Sequence, residues 1–160
     1  SVVMSVNNSL VCWGLETFGT EEQKQKYLVP LAKGEIIEAV VLPKPEARAG
    51  DAYLRFTPRT EMDIAVVGLG VSLTVANGTV TAARVGLGAV APTVMLVEEA
   101  AKALIGTKLE PAAVAAAAAA CSAACRPIND KRGTIVYRTK VAGVLLKRAV
   151  AIAAERASRS

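Results

Sequence analysis

Few residues in this chain could carry chemistry. None of its 160 residues is histidine, which excludes Ser-His-Asp and Cys-His catalysis and the common zinc sites. Cys121 and Cys125 lie four positions apart in an alanine-rich stretch, so they share one helix face, but this is not the CxxC spacing of redox or zinc motifs. We interpret both as small buried apolar residues. The sequence therefore predicts no catalytic residue and no metal site.

Two glycine motifs resemble part of a dinucleotide-binding fingerprint. The triplet Gly-Leu-Gly occurs at 68–70 and again at 86–88. The fingerprint requires a third glycine and a helix that begins at the loop, whereas Leu73 stands at the third position and Val71–Val75 has the pattern of a strand. We interpret the glycines as positions of close backbone packing. Adjacent acids such as Glu98 and Glu99 do not face each other on a helix, so paired-carboxylate catalysis is also unsupported.

The composition favours a globular domain. The chain is 52% hydrophobic but only 4% aromatic, so most apolar residues are alanine and valine, which suits helices packed closely on a β-sheet. The longest uncharged run in the helical region, 111–125, is too short to cross a bilayer, which requires roughly 20 apolar residues. No basic segment precedes an apolar one at the N-terminus, so we expect no signal peptide. We expect a cytoplasmic location and no membrane binding.

Charge divides the chain. Residues 1–43 hold five acids and three bases, whereas the remainder holds nine acids and 16 bases. A change of sign that coincides with a change of pattern marks a domain boundary. The bases near the C-terminus alternate with apolar residues along a helix, so we interpret them as a solvated or subunit-docking face and expect no nucleic-acid binding.

The positions of helices and strands predict an α+β fold. A helical pattern over Val3–Phe18 ends at Gly19, and a capping box at Thr20-Glu21-Glu22-Gln23 begins a second helix that ends at Gly34. We predict three segments: a helical hairpin at 1–34, a strand with a linker at 35–50, and a domain at 51–160. The strand is expected at Ile36–Leu42.

Within the third segment, a hairpin is the clearest local signal. Ala65–Val75 and Thr79–Leu87 flank Asn77-Gly78, a dipeptide that favours tight hairpin turns. A short helix is predicted around Arg59–Ala65, and an extended piece around Thr93–Leu96.

Three helices complete the predicted domain, at 97–105, from Pro111 to Pro127, and at 134–157. Asn129 and Asp130 suggest a capped start for the last one. Its polar face is predicted to carry the basic residues Arg138, Lys140, Lys147, Arg148 and Arg156. We expect a small antiparallel sheet packed against these three helices.

The second part of the chain resembles a known family. The stretches LPKPEARAGDAYLRFTPRTEMDIAVVGLGVSL and ACRPINDKRGTIVYRTKVAGVLLKRAV are similar to the C-terminal domain of the FAD-binding medium subunit of aerobic carbon monoxide dehydrogenases and xanthine dehydrogenase-like molybdenum hydroxylases. The resemblance covers residues 35–160, most clearly from Lys44 onwards. It implies that Tyr53, in AYLRF, matches a tyrosine that lies by the isoalloxazine ring of FAD.

The same resemblance implies partners and a limit on activity. In this family, subunits carrying molybdopterin and iron–sulphur clusters pass electrons to the flavin. The glycine-rich loops that hold the pyrophosphate belong to earlier domains and do not occur in this sequence. We therefore expect the chain to be an accessory flavoprotein domain that covers FAD and docks other subunits, without catalysis or tight FAD binding of its own.

Residues 1–34 resemble a different family. The stretch SVVMSVNNSLVCWGLETFGTEEQKQKYLVPLAKG is similar to the helical N-terminal domain of acyl-CoA dehydrogenases. The two resemblances meet at Gly34–Ile37, which suggests a chimera. The alternative to an accessory flavoprotein domain is therefore a chimeric, non-enzymatic scaffold or self-associating protein that binds no cofactor.

Overall fold

The computed structural model describes residues 12–33, 46–59 and 63–159. The chain divides into two compact units, Ser1–Lys44 and Pro45–Ser160. The strand predicted at Ile36–Leu42 and the beginning of the first predicted helix lie outside the described residues.

The N-terminal unit contains short helical segments. Helix α1 spans Trp13–Phe18, α2 spans Glu21–Gln23, a π-helical turn spans Lys24–Leu28, and α3 spans Val29–Ala32. The predicted capping box is present. The backbone N–H of Gln23 donates to Thr20 Oγ1 at 3.2 Å, and the backbone N–H of Thr20 donates to Gln23 Oε1 at 2.9 Å. Both hydrogen bonds satisfy backbone donors near the helix start.

The second unit is built on one antiparallel sheet. Its strands are β1 at Ala49–Phe56, β2 at Val67–Ala76, β3 at Thr79–Gly88 and β4 at Met95–Leu96, in the order β1-β2-β3-β4. The predicted hairpin is confirmed between β2 and β3. At its turn Asn77 and Gly78 have φ values of 50° and 76°, a pair of positive angles typical of a two-residue hairpin loop.

Two local predictions around β1 differ from the structure. Strand β1 begins at Ala49, inside the predicted linker, because Gly50 lets the strand lie directly on the last helix. A Cβ at Gly50 would stand 2.1 Å from the carbonyl oxygen of Ala153. The helix predicted around Arg59–Ala65 is absent over 63–65. There the backbone N–H of Ile64 donates a hydrogen bond to Asp63 Oδ1 at 2.9 Å. Such a local hydrogen bond between a side chain and the backbone competes with helix formation.

Three helices cover one face of the sheet, as predicted. Helix α4 spans Glu98–Leu104, α5 spans Pro111–Ala124 and α6 spans Ile135–Arg159. The α+β class expected from the sequence is therefore confirmed. No helix among the described residues has the length and hydrophobicity needed to cross a membrane.

The core lies between the helices and the inner face of the sheet. Its largest fully buried side chains are Leu69, Leu73, Leu87, Leu104 and Leu146. Small residues let the helices approach one another, since a Cβ on Gly143 of α6 would stand 3.3 Å from the carbonyl oxygen of Ala118 in α5. Cys121 and Cys125 are buried at this helical layer, as predicted.

The sequence placed Arg138 on the polar face of the last helix, and this prediction is wrong. The side chain is buried, with 3% of its surface exposed. Its guanidinium donates to the backbone carbonyl of Val66 at 2.8 Å and to Asp130 Oδ1 at 2.7 Å. A buried charge requires such partners, because transferring a charged group from water into the protein interior without them costs much free energy. The helical pattern places Arg138 correctly on α6 but cannot reveal that the carbonyl of Val66, just before β2, points at it.

Candidate functional site

The face of the sheet opposite the helices carries the candidate site. Along β2 the side chains alternate, so that Leu69, Val71 and Leu73 point into the core and are at most 3% exposed. Gly68 and Gly70 therefore lie on the outer face, because successive strand residues point to opposite faces. Helices α4, α5 and α6 of this unit all lie on the opposite face of the sheet.

Four glycines form a side-chain-free patch at the centre of the outer face. Gly68 is paired with Gly88, and Gly70 is paired with Gly86, across strands β2 and β3. We call these four residues the glycine platform. A register shift between Thr74 and Val75, a β-bulge, brings glycine opposite glycine in both pairs. The interpretation of the triplets as close-packing positions holds at Gly68, where a Cβ would stand 2.8 Å from the Tyr53 hydroxyl, and not at the other three, whose nearest neighbours lie at 3.8–3.9 Å.

Tyr53 reaches from strand β1 over the β2 half of the glycine platform. It is paired with Gly70, and 66% of its surface is exposed. Its ring lies over β2, since a Cβ on Gly68 would stand 2.8 Å from the Tyr53 hydroxyl and a Cβ on Gly70 would stand 3.8 Å from Tyr53 Cδ2. The ring covers Gly68, which is buried despite its place on the open face. Among the described residues, the Tyr53 hydroxyl has no hydrogen-bond partner.

Apolar and basic side chains surround the rest of the platform. Val94 and Leu96 are 79% and 73% exposed at the β4 side. A Cβ on Gly88 would stand 3.9 Å from Val94 Cγ2. Arg55 is paired with Gly68, and Arg84 is paired with Ser72, so both guanidinium groups belong to the outer face. Neither arginine forms an ion pair with a described residue.

A buried network holds one end of the platform. Arg138 donates to the carbonyl of Val66, just before β2, and more weakly to the carbonyl of Ala89, just after β3, at 3.4 Å. Ala89 has a φ of 64°, an uncommon conformation for a residue with a side chain. The same arginine is bound to Asp130, whose carboxylate also accepts the backbone N–H groups of Arg132 and Gly133.

Electrostatics stabilise the ionised form of the acids in this network. The hydrogen bond from Arg138 is the main reason that the pKa of Asp130 lies below its usual value. The hydrogen bond from Arg132, at 3.1 Å from Asp63 Oδ1, has the same effect on the pKa of Asp63. Both aspartates are paired supports of the fold, which leaves them poorly suited to accept a proton near neutral pH.

A cavity of about 510 Å³ adjoins the same network. Its walls combine apolar side chains with arginines, namely Ile64, Pro92, Pro127, Ile128, Arg126, Arg132 and Arg138. The arginines already donate to carbonyls or carboxylates within the domain. We therefore take the glycine platform with Tyr53, rather than this cavity, as the candidate site.

The platform is suited to contact with a flat ring system rather than to acid–base or metal chemistry. The Tyr53 ring lies over β2, so the open width runs from β2 to β4, about 10 Å across two strand spacings of about 4.8 Å. Gly86 and Gly88 provide a backbone floor there, and Tyr53 provides an aromatic wall. Among the described residues no group of three His, Cys, Asp or Glu side chains could hold a metal ion.

This architecture, a small antiparallel sheet with three helices on one face and an exposed tyrosine on the other, corresponds to a family of flavoprotein domains. The model of the CO dehydrogenase flavoprotein C-terminal domain matches residues 52–153, and the chain belongs to this family.

Two curated relatives are medium chains of carbon monoxide dehydrogenase. The protein from Afipia carboxidovorans is 40% identical over 131 residues, which cover 82% of this chain and 45% of the relative. The protein from Hydrogenophaga pseudoflava is 34% identical over 124 residues, which cover 78% and 43%. The chain thus spans less than half the length of these relatives.

Solved structures agree with the fold. Reconstituted CO dehydrogenase from Oligotropha carboxidovorans matches with a TM-score of 0.69 and 40% identity, over 72% of this chain and 40% of that chain. Quinoline 2-oxidoreductase from Pseudomonas putida 86 matches with a TM-score of 0.64 and 26% identity, over 68% and 38%.

The N-terminal segment matches a second family. The model of the acyl-CoA dehydrogenase N-terminal domain matches residues 1–35. The short-chain specific acyl-CoA dehydrogenase of Clostridium acetobutylicum is 56% identical over 46 residues, 29% of this chain and 12% of that protein. Both resemblances noted in the sequence are therefore confirmed.

Of the features at the candidate site, the sequence indicated Tyr53 through the family resemblance and missed the platform as a unit. A signal was present, because the two Gly-Leu-Gly triplets lie on either side of the Asn77-Gly78 turn at nearly equal distances. This signal was incomplete, because a register of β2 and β3 extrapolated from the turn pairs each glycine with the residue next to its true partner. Only the bulge between Thr74 and Val75 corrects the register.

Proposed function

We propose that the unit 45–160 is an accessory domain of a flavoprotein oxidoreductase subunit, which covers one side of FAD with its outer sheet face. The observation that carries this proposal is the exposed ring of Tyr53 beside a floor without side chains. The flavin, when bound, would supply the capacity to take up and pass on electrons. The roles of this chain are to contact the ring and to exclude water from one side.

The shape and charge of the outer face support the proposed flavin contact. The Cβ positions of Gly86 and Gly88 have only ordinary van der Waals neighbours, at 3.8 and 3.9 Å, so a planar group can approach the backbone there. Tyr53 can stack against the ring edge, an arrangement worth about 1 kcal/mol between aromatic groups. Arg55 and Arg84 add positive charge, which favours an electron-rich or anionic ligand.

We further propose that this domain docks other subunits of a molybdenum hydroxylase-type assembly. Its relatives include a structure described as the Cu,Mo-CO dehydrogenase, and subunits with molybdopterin and iron–sulphur clusters are the partners implied by the family. Because the chain spans less than half of its medium-chain relatives, we expect no CO oxidation by this chain alone.

The test is flavin binding by the purified chain. Binding is measured at equilibrium, by titrating FAD with the chain and following the flavin fluorescence. Weak, saturable binding that declines in Tyr53→Ala is expected, with Tyr27→Ala of the N-terminal unit as the matched control. A chain that binds no flavin at any concentration, or binds equally well without Tyr53, would contradict the proposal.

A second candidate is a chimeric scaffold without a cofactor. Matches to two unrelated families over 1–35 and 52–153 favour it, since neither segment carries the full binding machinery implied for its family. It predicts a folded, colourless chain whose thermal stability is unchanged by FAD. Sedimentation velocity would test whether that scaffold associates with itself.

A further inference from the structure

We propose that Gly68 is the positioning residue of Tyr53: the missing Cβ at Gly68 leaves room for the tyrosine hydroxyl and so allows the ring to pack against strand β2. This inference rests on the proposed flavin contact for its functional meaning. Its structural part stands on the geometry of the two residues.

The contact between the two residues is unusually specific. A Cβ built on Gly68 would stand 2.8 Å from the Tyr53 hydroxyl oxygen, but 3.5 Å from Cζ and 3.6 Å from Cε2. Only the first distance is too short for a real Cβ, and the other two are ordinary van der Waals contacts. A methyl group at position 68 therefore conflicts with the hydroxyl and not with the ring.

Gly70 offers a matched comparison beneath the same ring. A Cβ there would lie 3.8 Å from Tyr53 Cδ2, a distance that requires no movement. The two glycines lie on the same face of β2, but only Gly68 lies so close to the Tyr53 side chain that a Cβ would collide with it. Gly68→Ala should therefore lift the ring from the sheet, and Gly70→Ala should leave the ring in place.

The direction of the displacement gives the inference its functional content. Tyr53 is 66% exposed, so the sheet is the main surface that fixes its ring. A ring lifted from β2 would leave its place over Gly68 and Gly70, and the aromatic surface beside the open half of the platform, where we assign a planar ligand, would change. Gly68 would thus keep the Tyr53 ring seated on β2, beside the open glycines Gly86 and Gly88.

The test combines four chains: wild type, Gly68→Ala, Tyr53→Phe, and the double variant. Ring position is measured by nuclear Overhauser contacts between the ring protons of residue 53 and the backbone of residues 68 and 70. We expect these contacts to weaken in Gly68→Ala and to return in the double variant, because phenylalanine has no hydroxyl to collide with a methyl group at position 68. Gly70→Ala serves as the control for ring position.

Ligand binding is measured in the same chains with riboflavin, which carries the ring without a pyrophosphate. We expect the dissociation constant to rise roughly two- to tenfold in Gly68→Ala, the loss of one aromatic contact, and to return in the double variant to that of Tyr53→Phe. A general loss of structure would not be reversed by removing one hydroxyl group. Circular dichroism of each variant verifies folding. If Gly68→Ala alone does not fold, recovery of the fold and of the ring contacts in the double variant tests the positioning role.

The outcomes separate this inference from the proposed function. Unchanged ring contacts in Gly68→Ala, or no recovery in the double variant, would overturn the positioning role of Gly68. A displaced ring with unchanged riboflavin affinity would leave the steric role of Gly68 intact and overturn the link between ring position and ligand binding. If the wild-type chain binds no riboflavin while the ring contacts change as expected, the proposed flavin function fails and the steric role of Gly68 stands.

Discussion

Replacing Arg138 by methionine should destabilise the second unit strongly. The side chain is 3% exposed and joins three parts of the domain that are distant in sequence. Its two short hydrogen bonds reach the carbonyl of Val66 at 2.8 Å and Asp130 Oδ1 at 2.7 Å, and two longer ones, both at 3.4 Å, reach the carbonyls of Gly133 and Ala89. Methionine fills a similar volume but donates no hydrogen bond.

The magnitude follows from what remains behind. Removing one partner of a buried ion pair costs about 3–5 kcal/mol. The lower end applies, because the Asp130 side chain is 27% exposed and keeps the backbone donors of Arg132 and Gly133. We therefore expect a loss of about 3 kcal/mol in the free energy of unfolding, which lowers the Tm by roughly 10–15 °C for a domain of this size.

The assay is urea unfolding followed by far-ultraviolet circular dichroism. The control is Lys140→Met, an exposed position on the same helix, for which a change within about 0.5 kcal/mol is expected. Arg138→Lys should lie between them, since a lysine retains the charge but lacks the planar fork that spans Val66 and Asp130. A loss below about 1 kcal/mol in Arg138→Met would show that the network contributes little and refute the reasoning.

Three further predictions concern packing, pH and thiol reactivity. Gly50→Ala should cost about 3 kcal/mol in urea unfolding, because its Cβ would stand 2.1 and 2.4 Å from backbone atoms of Ala153 and Ala157; a loss below about 1 kcal/mol would mean that β1 moves freely on α6. The lowered pKa of Asp130 means that its stabilisation is complete above an unfolded-state pKa of about 4 and is lost as the pH falls through the folded-state pKa. Asp130→Asn should accordingly lose less stability than the wild type between about pH 5 and pH 2, and parallel urea midpoints in the two chains would contradict this. Burial raises the pKa of the Cys121 thiol to about 12 and also raises the pKa of Cys125, so iodoacetamide at about pH 8 should modify Cys12 first; rapid labelling of Cys121 in the folded chain, seen by peptide mass spectrometry, would argue against it.

Much of the fold follows from local signals in the sequence. The turn at Asn77-Gly78 predicted the hairpin because few dipeptides adopt two positive φ angles readily. Pro111 predicted the start of α5 because proline is tolerated in the first helical turn. The buried cysteines followed from small apolar residues on one helix face. These features depend on neighbours in sequence, so the sequence suffices to predict them.

The remaining features depend on contacts between distant residues. Arg138 has the spacing of the exposed bases on α6, and only the approach of Val66, next to β2, makes its position a buried one. Asp63 stands in a charged stretch that suits a helix, but Arg132, 69 positions further on, binds its carboxylate. The division into segments 1–34, 35–50 and 51–160, the flavin contact of Tyr53 and the chimeric origin stay predictions.

The platform and the buried network are two parts of one arrangement. Near the turn, Val75 pairs with Val80, and this register continued without a bulge would place Gly68 opposite Leu87. The bulge shifts the pairing by one residue, so that Gly68 faces Gly88 and all four glycines share the outer face; in antiparallel strands a one-residue slip exchanges the two faces. Arg138 fixes the other end of this shifted register, because it binds Val66 and Ala89, the residues that flank these strands. The buried arginine and the bulge therefore determine together whether strand β3 presents Gly86 and Gly88, or Val85 and Leu87, on the outer face next to Gly68 and Gly70.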